Sequence, residues 1–568
     1  MRILFLTHAF NSLTQRLFVE LQEHGHEVSV EYDINDALAL EAVQLYQPDL
    51  ILAPFLKRAI AETIWARYVC LIVHPGIVGD RGPSALDWAI LNQEKRWGVT
   101  VLQANAEMDA GAVWAYVEFD MREASKASLY RNEITEAAIE AVLLAVARFQ
   151  SGNFIPVALD YSDPKIRGKL QPLMRQSDRI IDWNRDNTET VLRKIRSADG
   201  FPGVRDNIFG RQLFLYDARP EKVLRGNAGD VIARCGAAIC RASTDGAVWL
   251  GHLRDKQHAH PFKLPATNLL AEEVRSLPEI TPDQDSGYQD IWYEEEGHVG
   301  YLHFPFYNGA MGTQQCQRLR QAYSEACQQS TRIIVLMGGP DYWSNGMHLN
   351  LIEAADSAAD ESWRNINAID DLALAIINTD SHLTIAALQG NAGAGGVFLA
   401  RAADEVWARK GVILNPHYKD MGNLYGSEYW TYLLPRYAGT ENAKRIIQAR
   451  LPMGTPEAQS LGLVNEIFDD DVQSFVGTVK RRAANMATVP AFSDRLQYKR
   501  KRRLADEMQK PLQDYREQEL EHMQLNFYGF DPSYHVARYN FVYQVPRSRT
   551  PMTLAAHRRT AEHLRRVI

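Results

Sequence analysis

The sequence lacks any long apolar segment. The most apolar stretch of the 568-residue chain, residues 137–149, is interrupted by Glu140 and Arg148. It therefore predicts an amphipathic helix and not a membrane span. The apolar run at residues 1–7 is too short for the core of a signal peptide, and no small-residue cleavage site follows it. We expect a cytoplasmic protein without a membrane partner.

Cysteine is scarce, and an excess of basic charge is absent. Five cysteines are scattered along the chain without a C-x-x-C pair, which supports neither a disulfide framework nor a zinc site. We therefore expect a reducing compartment and no bound metal. The formal net charge of −8 gives no reason to expect nucleic acid as a partner.

The first hundred residues alternate short apolar runs with periodic helical segments. Strand-like runs at residues 3–7, 27–32, 50–55 and 71–74 enclose helical segments such as residues 12–23 and 36–46. This rhythm is typical of a parallel α/β sheet, whose ligands bind at the carboxyl ends of the strands. His74 stands at such an end.

The length exceeds what one hydrophobic core usually sustains, so several domains are expected. Composition changes suggest boundaries near residues 151–169 and 280–286, where Pro, Gly, Ser and acidic residues accumulate. We predict an α/β class chain with four parts: an α/β domain at 1–150, a small β-rich, OB-like domain at 165–280, a second α/β domain at 287–485 and a helical extension at 486–568.

His74 and Asp109 are candidates for acid–base chemistry. His74 ends an apolar strand, and Asp109 lies in a turn after the later strand-like run 98–103. A carboxylate that meets such an imidazole orients the ring and raises its basicity. The same residues also fit a structural histidine and an ordinary Asp-x-Gly turn, so the residues alone leave both interpretations open.

A set of short motifs resembles the 10-formyltetrahydrofolate-dependent formyltransferases over roughly residues 1–270. These motifs are Pro48-Asp49-Leu50, Pro54-Phe55, His74-Pro75, Arg81-Gly82-Pro83, Gly98-Val99-Thr100 and Asp109-Ala110-Gly111, followed by Arg179 to Trp183. The resemblance implies a folate substrate and His74 and Asp109 as the catalytic pair. It also implies that the loop formed by Arg81, Gly82 and Pro83 shapes the folate pocket.

One position departs from that family. Its motif places an Asn, whose amide donates to the developing oxyanion, two residues before the catalytic His, where this chain has Ile72. Loss of one such donor typically costs ~2.7–4 kcal/mol of transition-state stabilisation. We therefore expect either a substitute donor near Ile72 or an acceptor other than an ordinary amine.

Two glycine-rich segments mark the second half of the chain, at residues 343–349 and 389–396. Such a turn most often serves close packing, but two turns that face one thioester oxygen would form an oxyanion hole. Together with Ala458 to Asn465, these segments resemble the crotonase (enoyl-CoA hydratase/isomerase) superfamily over roughly residues 290–480. The resemblance implies a coenzyme A thioester as ligand and the amides of Met347 and Gly395 as oxyanion donors.

The two glutamates with which hydratases handle water are replaced by Phe398 and His417, so alkene hydration is not expected. Tyr425, Glu428 and Tyr429 stand at helical spacing and could project into the site. They could equally form an aromatic helix face packed in a core.

The pairing of these two modules resembles the HypX (HoxX) family of [NiFe]-hydrogenase maturation proteins. The resemblance implies that a formyl group passes from 10-formyltetrahydrofolate to coenzyme A and that formyl-CoA releases carbon monoxide for the hydrogenase iron. Hydrogenase or other maturation proteins are implied partners besides the small-molecule substrates. Glu428 is the candidate base, with Tyr425, Tyr429 or His417 positioning or delivering protons.

Two other functions stay open from the sequence. The chain could be another formyltransferase or a formyl-CoA hydrolase, since His74 and Asp109 are both present. It could also be a non-catalytic scaffold that binds folate and coenzyme A, because Phe398 and His417 replace the hydratase glutamates.

Overall fold

The computed structural model describes residues 1–283 and 285–559, which form two compact units. The first unit comprises Met1–Tyr288 and a C-terminal segment that begins at Pro546, and the second comprises Gln289–Val545. Among the helices of the described ranges, none has the length and apolar character needed to cross a membrane.

The first unit begins with a six-stranded sheet in the order β2-β1-β3-β4-β5-β6. Strands β1 to β4 are parallel, as predicted, whereas β5 pairs antiparallel with both β4 and the edge strand β6. The elements are β1 Arg2–Thr7, α1 Ser12–Glu23, β2 Glu27–Tyr32, α2 Asp36–Tyr46, β3 Leu50–Ala53, α3 Glu62–Trp65, β4 Cys70–His74, α4 Ala85–Leu91, β5 Arg96–Gln103, β6 Val113–Asp120, α5 Lys126–Leu129 and α6 Thr135–Ser151.

A small β-rich sheet follows in the order β7-β8-β11-β10-β9, with β12 paired to β11 and all pairs antiparallel. Its elements are α7 Thr188–Arg196, β7 Val204–Ile208, β8 Arg211–Glu221, β9 Val231–Cys235, β10 Ala238–Ala242, β11 Ala247–Arg254, β12 Leu264–Pro265 and α8 Ala266–Leu269. The segment before it, which the sequence suggested as a linker, packs on the first sheet domain: Val157 pairs with Val113, and Leu170 pairs with Arg81.

The second unit contains a six-stranded sheet, β13-β14-β15-β17-β19-β21, and a three-stranded parallel sheet, β16-β18-β20. Its strands are β13 Trp292–Glu296, β14 Val299–His303, β15 Ile333–Met337, β16 Tyr342–Ser344, β17 Leu383–Leu388, β18 Asn391–Gly393, β19 Glu405–Arg409, β20 Leu414–Asn415 and β21 Glu466–Phe468. The small sheet joins the two glycine-rich segments, because β16 pairs with β18.

Helices cover these sheets and continue beyond them. They are α9 Thr313–Ala326, α10 Leu349–Ala354, α11 Ala358–Ile377, α12 Gly395–Arg401, α13 Trp430–Ala438, α14 Thr440–Ala449, α15 Thr455–Ser460, α16 Phe475–Thr488, α17 Phe492–Gln509, α18 Leu512–Tyr528 and α19 Ser533–Val542. The predicted single extension at 486–568 therefore divides: its helices up to residue 545 belong to the second unit, and the described residues 546–559 belong to the first.

The C-terminal segment docks on the edge strand β2 of the first unit. The amide of Val30 donates to the carbonyl of Leu554 at 3.1 Å. Beside it, the fully buried Glu31 carboxylate lies 2.9 Å from Nε2 of His557 and 3.0 Å from Nε of Arg558. Burial acts to raise the pKa of Glu31, but these hydrogen bonds outweigh it and lower the pKa. The segment is thus fixed by a buried charged cluster.

Replacement of Glu31 by Ala should lower the free energy of unfolding of the first unit by about 1–3 kcal/mol, because the buried donors of His557, Arg558 and Thr550 lose their shared acceptor, although Arg558 keeps its pair with Glu41. Hydrogen exchange of the β2 amides and the urea midpoint would measure the loss. Glu27→Ala, at the exposed end of the same strand, is the matched control. Equal stability of the two variants would show that the cluster does not hold the segment.

Candidate active sites

The first site is an imidazole held between two carboxylates. His74, the last residue of β4, places Nε2 2.9 Å from Asp80 Oδ2 and Nδ1 3.6 Å from Asp109 Oδ2. Asp109 adopts a left-handed backbone with φ 53°, and its Oδ2 accepts a hydrogen bond from the amide of Gly82 at 3.2 Å. The structure therefore brings the predicted pair together and adds Asp80 on the opposite side of the ring.

Asp80 is the residue that the sequence interpretation missed. It is 2% exposed, and burial raises the pKa of its carboxyl. Its position six residues after His74, in a loop that opens at a strand end, was the available signal. A methyl group on Gly76 would lie 2.5 Å from His74 Nε2 and 2.6 Å from Asp80 Oδ2, so only glycine leaves room for this pair.

The predicted folate loop is braced by the segment that follows the first domain. Arg81 donates from Nε to the carbonyl of Met108 at 3.0 Å. Gly82 has a φ of +112° and lies against the backbone of Gln171, so a side chain there would collide. Pro83 is exposed. These contacts fix the loop next to Asp109.

Ile72 does not supply a polar group to this site. It is partly buried and packs against an apolar cluster that includes Ile51, Ile64 and Ala104. On β4 it lies two residues before His74 and so on the same face of the sheet. The expectation that an oxyanion donor is missing at this position is consistent with that packing.

The second site begins where the two glycine-rich segments meet. A methyl group on Gly346 would lie 3.5 Å from the amide nitrogen of Gly395. Gly395 opens helix α12, and Met347 follows Gly346 directly. In the part of the chain that the structure describes, neither the Met347 nor the Gly395 amide donates a loop, cap or side-chain hydrogen bond. The two glycine-rich segments thus lie close together at this point, and the role of both amides as oxyanion donors stays a prediction.

The Glu428 carboxyl lies directly against Gly395. A methyl group on Gly395 would collide with Oε1 of Glu428, whose Oε2 accepts a hydrogen bond from the Tyr418 hydroxyl at 2.6 Å. Glu428 is 1% exposed. Burial, followed by the charge of Asp370, raises the pKa of Glu428 to about 8. A buried carboxyl with a raised pKa thus lies directly against the amide of Gly395.

The expected helical spacing of Tyr425, Glu428 and Tyr429 is wrong. Glu428 and Tyr429 have φ of 58° and 59°, in the left-handed region that interrupts a right-handed helix, and α13 begins only at Trp430. The turn therefore separates the three side chains. Tyr425 stacks on His522 with ring centroids 4.1 Å apart, and Tyr429 is buried in the apolar core.

The two residues that replace the hydratase glutamates, Phe398 and His417, are both buried. Phe398 is fully buried and stacks on Tyr418 with centroids 5.4 Å apart. His417 is buried, and that burial lowers its pKa. Among the described contacts none joins His417 to Glu428. The described contacts therefore join Gly395, Glu428 and Tyr418, and none of them links His417 or Tyr425 to Glu428.

Comparison with known proteins finds a matching family for each half of the chain. The family models described as formyl transferase and as formyl transferase, C-terminal domain, match residues 1–146 and 173–262. The model described as enoyl-CoA hydratase/isomerase matches residues 301–530. The chain is therefore a formyltransferase module joined to an enoyl-CoA hydratase-like module, which confirms the predicted fold class.

The particular family follows from the full-length relatives. The chain is 56% identical over 558 residues to the hydrogenase maturation factor HoxX of Bradyrhizobium diazoefficiens, covering 98% of this chain and 97% of that protein. It therefore belongs to the HoxX family of hydrogenase maturation factors, and the predicted resemblance is confirmed.

A solved structure and a single-module relative complete the comparison. The crystal structure of HypX from Aquifex aeolicus in complex with tetrahydrofolic acid has a TM-score of 0.94 at 48% identity, covering 98% of this chain and 99% of that one. The methionyl-tRNA formyltransferase of Thermotoga neapolitana is 26% identical over 203 residues, covering 35% of this chain and 63% of that enzyme.

Gly76→Ala should displace the His74 ring from Asp80 and slow formyl transfer about 10²-fold, because a misplacement of about 1 Å is enough for such a loss. The release of tetrahydrofolate from 10-formyltetrahydrofolate measures the rate. Gly477→Ala is the control, since its added methyl would meet only the flexible end of Arg481 at 3.4 Å. An unchanged rate in Gly76→Ala would mean that the His74–Asp80 contact is dispensable.

Proposed function

We propose that this protein transfers the formyl group of 10-formyltetrahydrofolate to coenzyme A and then releases carbon monoxide from the formyl thioester. The observation that carries the proposal is the second site: a buried carboxyl, Glu428, lies directly against Gly395 where the two glycine-rich segments meet, in a module without the paired hydratase glutamates. The tetrahydrofolate complex of the related Aquifex aeolicus protein supports a folate substrate for the first module.

In the first step, His74 acts as the proton acceptor. The coenzyme A thiol loses its proton to the imidazole while its sulfur attacks the formyl carbon, the carbon–nitrogen bond breaks, and the proton passes to the folate nitrogen. Asp109 and Asp80 hold the ring on either side and stabilise its charged form. Because Ile72 offers no hydrogen bond to a developing oxyanion, we assign a thiol acceptor, whose deprotonated form is intrinsically very nucleophilic.

In the second step, Glu428 acts as the base. Its carboxylate removes the formyl C–H proton while the carbon–sulfur bond breaks, and the proton then passes to the leaving thiolate, so that carbon monoxide and coenzyme A result without any oxidant. The amides of Met347 and Gly395 polarise the thioester oxygen. A base whose pKa lies near the working pH combines availability with driving force.

The packing around Glu428 disfavours hydrolysis of the formyl thioester. Phe398 and Tyr418 stack where a hydratase holds a carboxylate for water, and a site that excludes water protects a reactive acyl group. The family of hydrogenase maturation factors supports the hydrogenase iron as the destination of the carbon monoxide. Delivery to a hydrogenase or another maturation protein is part of this proposal.

Glu428→Gln should abolish carbon monoxide release while folate consumption continues. Loss of a positioned general base slows its step by about 10²–10⁴-fold, so formyl-CoA or formate should accumulate. Wild-type and variant proteins would receive 10-formyltetrahydrofolate with and without coenzyme A, and a haem reporter would trap the gas.

The exposed residue Glu441, changed to Gln, is the matched control. The proposal is supported if the wild-type protein releases carbon monoxide only when coenzyme A is present. Wild type that consumes folate but yields no gas would instead indicate a simple formyltransferase, and equal gas from Glu428→Gln would remove Glu428 as the base.

A further inference from the structure

Two buried carboxyls that the proposed mechanism does not use surround the turn that carries Glu428. Asp370 on α11 and Glu519 on α18 are both fully buried. Asp370 Oδ1 accepts a hydrogen bond from the amide of Glu428 at 2.8 Å, and Glu519 Oε2 accepts one from the amide of Tyr429 at 3.0 Å. These are the two residues of the turn with left-handed backbones. Each strained residue is thus held by its own acidic side chain from a different helix.

Ser427 links the two carboxyls and limits their protonation. Its hydroxyl oxygen lies 2.8 Å from Asp370 Oδ2 and 3.2 Å from Glu519 Oε2. A serine hydroxyl carries one proton and can donate to only one of them. If both distances are hydrogen bonds, one carboxyl must itself carry a proton and donate to Ser427.

The surroundings indicate which carboxyl holds that proton. Asp370 has a cation nearby, with Arg516 Nε at 4.0 Å from Oδ2. The hydrogen-bond donors described around Glu519 are neutral: its Oε1 accepts from the amide of Thr431 at 2.8 Å and from the Thr431 hydroxyl at 2.5 Å. Burial raises the pKa of Glu519 to about 8 and that of Asp370 to about 6. The nearby cation and the lower pKa favour an ionised Asp370, and the neutral donors and the higher pKa favour a protonated Glu519.

We propose that Asp370 and Glu519 are positioning residues for Glu428, with Asp370 ionised and Glu519 protonated. Together they fix the left-handed turn at residues 427–429 that places the Glu428 carboxyl against Gly395. The inference rests on the proposed function for its catalytic meaning, but the arrangement itself belongs to the free protein. The ionised Asp370 also keeps Glu428 protonated until a higher pH than burial alone would require, because like charges oppose ionisation.

The test exploits two nearly isosteric substitutions that should behave differently. Asp370→Asn removes a charge, so Glu428 should ionise about 1–3 pH units lower, the range typical of a charge within about 4–6 Å. Glu519→Gln keeps the side chain neutral and can still donate to Ser427, although its NH2 group no longer accepts from the Tyr429 amide, so this change should leave that midpoint within about half a pH unit. The titratable and charged groups that interact electrostatically with Glu428 or its two carboxyl neighbours are Tyr418, Tyr425, Tyr429, Cys316, Asp370, Glu519, Asp371 and Arg516.

The midpoint is measured by infrared titration of the free full-length protein. The carboxylic acid band that disappears in Glu428→Gln identifies Glu428, and its loss with rising pH gives the midpoint in each variant. Asp360→Asn, an exposed carboxylate on the same helix, is the control for removal of one charge. A lower midpoint in Asp370→Asn alone supports the proposal. A lower midpoint in Glu519→Gln alone, or in neither variant, overturns it.

Carbon monoxide release supplies a second measurement and separates the two proposals. Glu519→Ala should slow release by about 10²-fold, as expected when a base is misplaced, whereas Glu519→Gln, which keeps the acceptor for Thr431 and the hydrogen bond to Ser427 but loses the acceptor for Tyr429, should restore part of that rate. Failure of Gln to restore it contradicts the positioning proposal. If wild type releases no gas and the infrared asymmetry is still observed, the proposed decarbonylation fails and the assignment of Asp370 and Glu519 stands.

Discussion

The second unit depends on one close contact, that between the Glu428 carboxyl and the backbone of Gly395. Any side chain at residue 395 would collide with Oε1 of Glu428, so the opening of α12 must be glycine. The same glycine leaves its amide free for a ligand. Consequently the oxyanion donor and the candidate base lie side by side, although 33 residues separate them in the sequence (428 − 395).

In the first site, too, a glycine leaves room for buried titratable side chains. Gly76 leaves room for His74 and Asp80, as Gly395 does for Glu428. In both places a titratable side chain is buried next to backbone that only glycine can provide. Burial raises the pKa of Asp80 and of Glu428, which brings carboxyls toward the range useful for proton transfer.

Much of the fold follows from local pattern, and much of the site does not. Helices α1 and α2 match their predicted bounds because Asn11 and Asn35 cap them and apolar periodicity is clear. The apolar periodicity of the sequence does not distinguish an antiparallel β5 from a parallel one. The helical spacing predicted the wrong structure at Glu428, because two residues other than glycine adopt the left-handed conformation there. Hydrogen bonds to Asp370 and Glu519, on helices distant in the sequence, stabilise that conformation.

Asp370 and Glu519 did have a sequence signal, since each stands within an apolar stripe. Ile366, Asp370, Ala373 and Ile377 are buried along one face of α11, and Leu512, Glu519, Met523 and Phe527 along one face of α18. An acidic residue in such a stripe costs free energy that an apolar residue would avoid. Packing alone gives no reason for three buried carboxyls around one turn. The hydrogen bonds of Asp370 and Glu519 are made with the backbone of Glu428, Tyr429 and Thr431, which ties that cost to the geometry of the turn that carries Glu428.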